Sequence, residues 1–313
     1  MNFLKLIRIQ NLAMIALMQY VFRYTFMKTA TFTTITESFN FLALNHFQFF
    51  LLVLSTILIA AAGYVINDIM DQETDEIAKK RIIGVSISEK TAYNLYVGLN
   101  IFGVGLGFYL SNVIEKPSFA SVFIVIAALL YVYSTTLKQI AFLGNVVVAA
   151  VLSFSIIILG IFDLVPMIYD GNKEQMIQTF GILKDYAIFA FIINLIREIV
   201  KDVEDTDADY ASGIATLPVL IGKNRTMKIA FAIGITAIAI LTYYMSKNLA
   251  QYDIAVYYLI LFVAAPLLFF VIKSWSAKTQ KDYKNLSLLL KLVLLFGIFS
   301  IWVITYAITS TNA

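Results

Sequence analysis

Nine stretches of this chain stay apolar for close to the twenty or so residues that a helix needs to cross the hydrocarbon of a bilayer. They lie near 11–27, 48–66, 91–111, 118–136, 142–162, 183–200, 226–246, 254–273 and 286–308. The runs are continuous, with no strict alternation, and are too long for barrel strands. In lipid only a helix satisfies the backbone polar groups of such a run from within. The expected fold is an all-α membrane protein, a bundle of nine transmembrane helices. Composition agrees: 60% hydrophobic and 14% charged residues stand against roughly 45–50% and about 25% in soluble domains.

Nine crossings sort the basic residues. With the N-terminus on the cytoplasmic side, sixteen of the 23 lysines and arginines fall in inner segments and six in outer ones, with Lys291 inside the last run. That asymmetry is the one expected of membrane proteins. Segments 67–90 and 197–225 are long, polar and on the inner side, and no flexible linker divides the chain, so residues 1–313 read as one domain. Lys5 and Arg8 precede the first run without a small-residue cleavage site, which reads as a retained helix. The absence of cysteine excludes disulfides and thiolate chemistry, and the single histidine, His46, leaves no basis for histidine-bound zinc. A net charge of +3 gives no reason to expect a nucleic-acid partner, and no obligate protein partner is evident.

The two long inner segments carry the chemistry. The first reads Asn67-Asp68-Ile69-Met70-Asp71-Gln72-Glu73-Thr74-Asp75, and the second contains Asp202, Asp205 and Asp209. Both place carboxylates at i, i+3 and i+7, positions that share one helix face. Like charges so spaced repel, and water, neighbouring lysines or a divalent cation must offset them. A solvated acidic loop accounts for one such cluster; two of identical spacing on one side of the membrane favour a cation. All-oxygen ligands suit magnesium, calcium or manganese. Magnesium takes few carboxylates and completes its shell with water and substrate phosphates, so facing clusters suit a pyrophosphate. Direct positive charge would come from Lys138, Arg8, Lys79, Lys80, Arg81, Arg197 or Lys201.

Asn67, Asp68, Asp71 and Asp75 match Asn-Asp-x-x-Asp-x-x-x-Asp, and Asp205, Asp209, Gly213, Thr216, Leu217 and Pro218 match a second signature. With Tyr133, Ser134 and Lys138, and with Arg8 and Asn11, the chain resembles the UbiA-type intramembrane prenyltransferases over essentially its whole length. The resemblance implies a nine-helix bundle around a central cavity open sideways to lipid, in which Mg2+ bridges the carboxylates and the pyrophosphate of a prenyl donor. It implies metal ligands at Asn67, Asp68, Asp71, Asp75, Asp202, Asp205 and Asp209, with Asp71, Asp75, Asp205 and Asp209 as the catalytic carboxylates. Pyrophosphate contacts would come from Lys138, Arg8, Asn67, Arg81, Lys201 and Tyr133. The stretch 77–82 lacks the prolines with which family members continue the first motif, which bears on how this loop closes.

Residues 197–205 look most like the branch that prenylates geranylgeranylglyceryl phosphate, an ether-lipid precursor. Branches acting on 4-hydroxybenzoate or dihydroxynaphthoate are the alternative. The implied partners are a geranylgeranyl-type pyrophosphate, a small acceptor and membrane lipid, with the site facing the cytoplasm from the inner membrane. A transporter would carry ionisable residues at mid-membrane, where only Arg23 and Lys291 stand. A CDP-alcohol phosphotransferase would need an Asp-Gly-x-x-Ala-Arg stretch, which is absent.

Overall fold

Every one of the nine apolar runs is helical in the structure, a computed structural model that describes residues 2–29, 42–78 and 80–311. Lys79 lies outside the described residues. The helices in chain order are α1 (Asn2–Leu6), α2 (Ile9–Val21, prolonged by a π-helical turn, Phe22–Met27), α3 (His46–Met70), α4 (Gln72–Ile77), α5 (Glu89–Val113) and α6 (Ala120–Thr135). There follow α7 (Leu143–Leu159, with a π-helical turn at Gly160–Leu164), α8 (Lys173–Ala211), α9 (Leu217–Ile221) and α10 (Lys223–Tyr244). The last are α11 (Asp253–Leu259), α12 (Ala265–Ser276) and α13 (Gln280–Thr311). Among the described residues, eight helical stretches between His46 and Ser310 are long and apolar enough to cross a membrane. The first expected span, α2 with its π-helical turn, is helical but is not one of those eight.

The sixth run differs most from expectation. Its apolar part, 183–200, lies inside a helix of 39 residues, so much of the segment expected as an outer loop, 163–182, is helix. Lys173, Glu174, Lys184 and Asp185 dilute the apolar signal without weakening the helix, because these are ordinary helix residues. Local chemistry sets the ends. Asn45 caps α3 in a reciprocal capping box with Gln48. α8 stops at Gly213, whose φ of 71° is open to glycine without Cβ strain. There Ile214 N bonds Asp209 O at 2.9 Å and Gly213 N bonds Tyr210 O at 3.2 Å, the two bonds of a Schellman stop.

Glycine also sets one close helix contact: a Cβ on Gly107 of α5 would come within 2.2 Å of the Phe123 ring on α6. The mid-span charge Arg23 is buried. Its Nε stands 2.9 Å from Asp163 Oδ2, its guanidinium lies 4.2 Å from the Phe49 ring centroid, and it donates to Leu44 O. Asp163 Oδ1 accepts from Leu44 N at 2.9 Å. The pair thus ties the π-helical turns of α2 and α7 to the start of the segment entering α3. At the opposite end α4 packs on α8, which brings the two acidic segments together.

Candidate active site

A cavity of about 570 Å³ runs between α2, α3, α6, α7, α8 and α13, within the range of small-molecule sites. Asn11, Met14, Ile15, Met18 and Phe22 place one face of α2 along it. From Arg8 to Phe22 that face extends about 21 Å at the helical rise. The end remote from the acidic segments is apolar and closed by Phe22 against Tyr186, edge to face at 4.9 Å. Tyr186 is fixed by its hydroxyl, 2.7 Å from Ser300 Oγ. The other end is polar and built from the two acidic segments.

The first segment does not continue as one straight helix. Asp71 ends α3 with φ −93° and ψ 10°, and α4 starts at the next residue. Asn67, Asp71 and Asp75 line the cavity. Asn67 Nδ2 donates to Asp71 Oδ2 at 2.6 Å, and Lys138 pairs with the same oxygen. Asp68 is absent from the cavity wall and instead holds Arg8, with Oδ1 3.2 Å from the guanidinium. The three-carboxylate face expected of 68, 71 and 75 is therefore split. Asp75 has no side-chain partner among the described residues. Burial pushes its carboxyl up to about 6, the Asp68 and Asp71 carboxylates add to the shift, and Lys138 and Arg8 oppose it.

On α8 the expected face holds: Asp202, Asp205 and Asp209 all line the cavity. Asp202 accepts from Asn145 Nδ2 at 2.8 Å, Asp205 pairs with Lys80 at 2.7 Å, and Asp209 accepts from Thr216 Oγ1 at 3.1 Å. The Schellman turn is what returns Thr216 to Asp209. Burial works against the Lys80 ammonium, but the Asp205 partnership leaves its pKa above the ordinary lysine value. Tyr133 and Lys201 also line the wall, Lys201 held by Glu198 at 2.9 Å. Arg81 does not: it pairs with Glu76 and bonds Gln72 Oε1 at 3.2 Å and Ile83 O at 2.9 Å.

Asn145, Asn194, Glu198, Tyr64 and Lys291 line the cavity as well and were not among the residues the sequence put forward. A signal existed for the asparagines and Lys291: polar residues inside apolar runs are costly and seldom idle. Arg8 and Phe142, both on the wall, hold positive φ of 49° and 67°, strain that local packing must sustain.

Five wall aspartates face two lysines, Lys80 and Lys138, which leaves three negative charges in excess in this region; Glu198, also on the wall, is held by Lys201 and Arg197. Among the described residues no three carboxylates converge into a ready cage. That donor set fits magnesium, which keeps waters and takes few carboxylates, better than it fits calcium.

A model of the UbiA prenyltransferase family matches residues 36–295. Digeranylgeranylglyceryl phosphate synthase of Saccharolobus solfataricus is 30% identical over 78% of this chain and 79% of its own length. The enzyme of that name from Thermococcus gammatolerans is 30% identical over 57% of this chain, and the alignment spans 58% of that protein. The structure of a UbiA homolog from Archaeoglobus fulgidus bound to GPP and Mg2+ superposes with a TM-score of 0.59 at 15% identity, over 96% of this chain and 99% of the other. With the family model covering most of the chain and the helical bundle shared, this integral membrane protein belongs to the UbiA prenyltransferase family.

Proposed function

We propose that the chain is a magnesium-dependent prenyltransferase that moves a geranylgeranyl-type group from its pyrophosphate to geranylgeranylglyceryl phosphate. The observation that carries this reading is the meeting of Asp71 and Asp75 with Asp202, Asp205 and Asp209 around one cavity whose far end is apolar. Asn67 and the five wall aspartates would hold the metal, with Asp68 acting through Arg8. Bound there, magnesium would neutralise charge on the departing pyrophosphate.

The protein's own groups supply the rest. Lys138 and Lys80 would donate to phosphate oxygens once these displace Asp71 and Asp205 as their partners. The donor's C–O bond breaks with its electron pair leaving on the pyrophosphate, its allylic carbon becomes electron-poor, and the acceptor hydroxyl oxygen bonds to that carbon and gives its proton to the departing pyrophosphate or to water. Met14, Met18, Phe22, Tyr186 and Phe189 would enclose the hydrocarbon and keep water from the cationic carbon, with aromatic faces favouring positive charge. The name shared by the relatives, digeranylgeranylglyceryl phosphate synthase, supports the acceptor. The bias of lysines and arginines, sixteen against six, toward the side that carries both acidic segments supports a site facing the cytoplasm from the inner membrane.

The test is to incubate purified protein with geranylgeranyl pyrophosphate, Mg2+ and a panel of geranylgeranylglyceryl phosphate, 4-hydroxybenzoate and dihydroxynaphthoate, reading products by mass spectrometry. The expected product is the doubly alkylated glyceryl phosphate. Prenylation of an aromatic acid alone would move the assignment to another branch, and no Mg2+-dependent pyrophosphate release with any acceptor would reject the enzyme reading.

A further inference from the structure

The polar end of the cavity has two regions of opposite sign. The five aspartates with Lys80 and Lys138 form the negative one. Along α8, about 12 Å from Asp205 by helical rise, Arg197 begins a positive one. Arg197 and Lys201 share the carboxylate of Glu198 at 3.3 and 2.9 Å. Lys291 enters from α13 and is anchored by Gln10 Oε1 at 3.3 Å. All four charged side chains line the cavity, and three cations against one carboxylate leave two positive charges.

Two features set this group apart from the aspartate region. Arg197 Nε is buried with no hydrogen-bond partner among the described residues, an arrangement folding avoids unless something else accepts. Lys291 lies within the apolar run 286–308, half-buried, and its printed partner is the neutral amide oxygen of Gln10 rather than a carboxylate; a charge so placed in a membrane helix points to binding. Neither residue has a part in holding the donor, and Lys201, expected from the sequence to contact the pyrophosphate, is instead held by Glu198 beside Arg197.

We propose that Arg197, Lys201 and Lys291 form a second anion site, free of metal, that binds the phosphate monoester of the acceptor. This rests on the prenyl-transfer reading above. A phosphate monoester carries about −1.5 to −2 at neutral pH, which matches the surplus of this region. The donor pyrophosphate needs metal to enter the aspartate region, whereas the acceptor phosphate would be repelled there and drawn here. The two substrates would be sorted by charge before they meet. An acceptor with a single carboxylate would leave one positive charge uncompensated, so the site also favours a phosphate over an aromatic acid. Glu198 would be a positioning residue, holding both cations of α8 toward the cavity.

The experiment compares geranylgeranylglyceryl phosphate with geranylgeranylglycerol, which lacks the phosphate, in the full-length wild type and in Lys291→Gln, Lys291→Arg and Lys201→Gln. Wild type should use the phosphorylated acceptor at far lower KM. Lys291→Gln should raise that KM about tenfold or more, as loss of a charge-assisted contact does, while the KM for geranylgeranyl pyrophosphate holds within about twofold. The same variant should treat geranylgeranylglycerol as wild type does, and Lys291→Arg should restore the phosphate preference. Lys201→Gln gives a second reading of the same site on a different helix. Equal losses with both acceptors, or a rise confined to the donor KM, would overturn the site while leaving prenyl transfer intact. If wild type transfers to an unphosphorylated acceptor and ignores geranylgeranylglyceryl phosphate, the acceptor assignment fails and the site fails with it.

Discussion

Lys80 and Asp205, 125 residues apart in the chain, meet at 2.7 Å and join the two acidic segments directly. Both side chains are substantially exposed, 53% and 38%, so the pair contributes under about 1 kcal/mol to folding. Its importance is local, in joining the two segments at the mouth of the cavity. Lys80→Gln should therefore leave the melting temperature nearly unchanged. Hydrogen exchange across 72–84 should rise in the absence of magnesium and return to the wild-type level when Mg2+ and a prenyl pyrophosphate are added. A large loss of global stability would show that the pair does more than close the mouth.

Lys138 reaches Asp71 from the short turn after α6. If the lysine passes from that carboxylate to the donor phosphate, Lys138→Met removes a contact to the donor only. The KM for geranylgeranyl pyrophosphate should rise about tenfold or more while the acceptor KM stays near that of wild type. Steady-state kinetics with each substrate varied in turn checks this, and a change confined to the acceptor would contradict it.

Asp75, with its carboxyl at about 6, gives the site a pH dependence of known sign. An unperturbed aspartate titrates near 3.9, so between about pH 4 and 6 the folded metal-free protein binds more protons here than the unfolded chain. Stability of the metal-free protein falls as pH rises through that window. A divalent cation needs the ionised form and must displace this proton at low pH. Stabilisation by Mg2+, read as a shift in melting temperature, should be full near pH 7 and small near pH 5. Equal shifts at the two pH values would contradict a role for Asp75 in metal binding.

Arg23 and Asp163 make the opposite kind of pair, almost fully buried and far from the acidic end. Removing one partner leaves an uncompensated buried charge, at about 3–5 kcal/mol. Arg23→Met should lower the melting temperature markedly. Arg23→Met with Asp163→Leu should recover much of the loss, short of the Leu44 backbone contact to Asp163. Turnover of the folded fraction should stay close to wild type in both, since neither residue lines the cavity.

Much of this architecture could be read from the residues, because membrane crossing imposes its own signal. All nine apolar runs are helices, and the facing carboxylates of 202, 205 and 209 follow from spacing on an unbroken helix. The first segment escaped the same logic at Asp68, where the break at Asp71 and a partner 60 residues upstream, Arg8, decide where the carboxylate points. Arg81 was set aside for a similar reason, since Glu76, five residues away, engages it first. Asn145, Glu198 and Lys291 reach the cavity through packing of α7, α8 and α13, which periodicity does not encode. Their one visible mark was polarity inside apolar runs.

The central claim is that both acidic segments build one metal–pyrophosphate site. Asp71→Asn and Asp205→Asn, each alone, test it most directly, because each keeps the side chain's size and removes one charge from a different segment. Pyrophosphate release from geranylgeranyl pyrophosphate should lose its magnesium dependence and fall by about a hundredfold or more in both variants, the scale of losing a preorganised electrostatic contact, while both remain folded in membranes. Magnesium-dependent turnover near the wild-type rate in either variant would contradict the account.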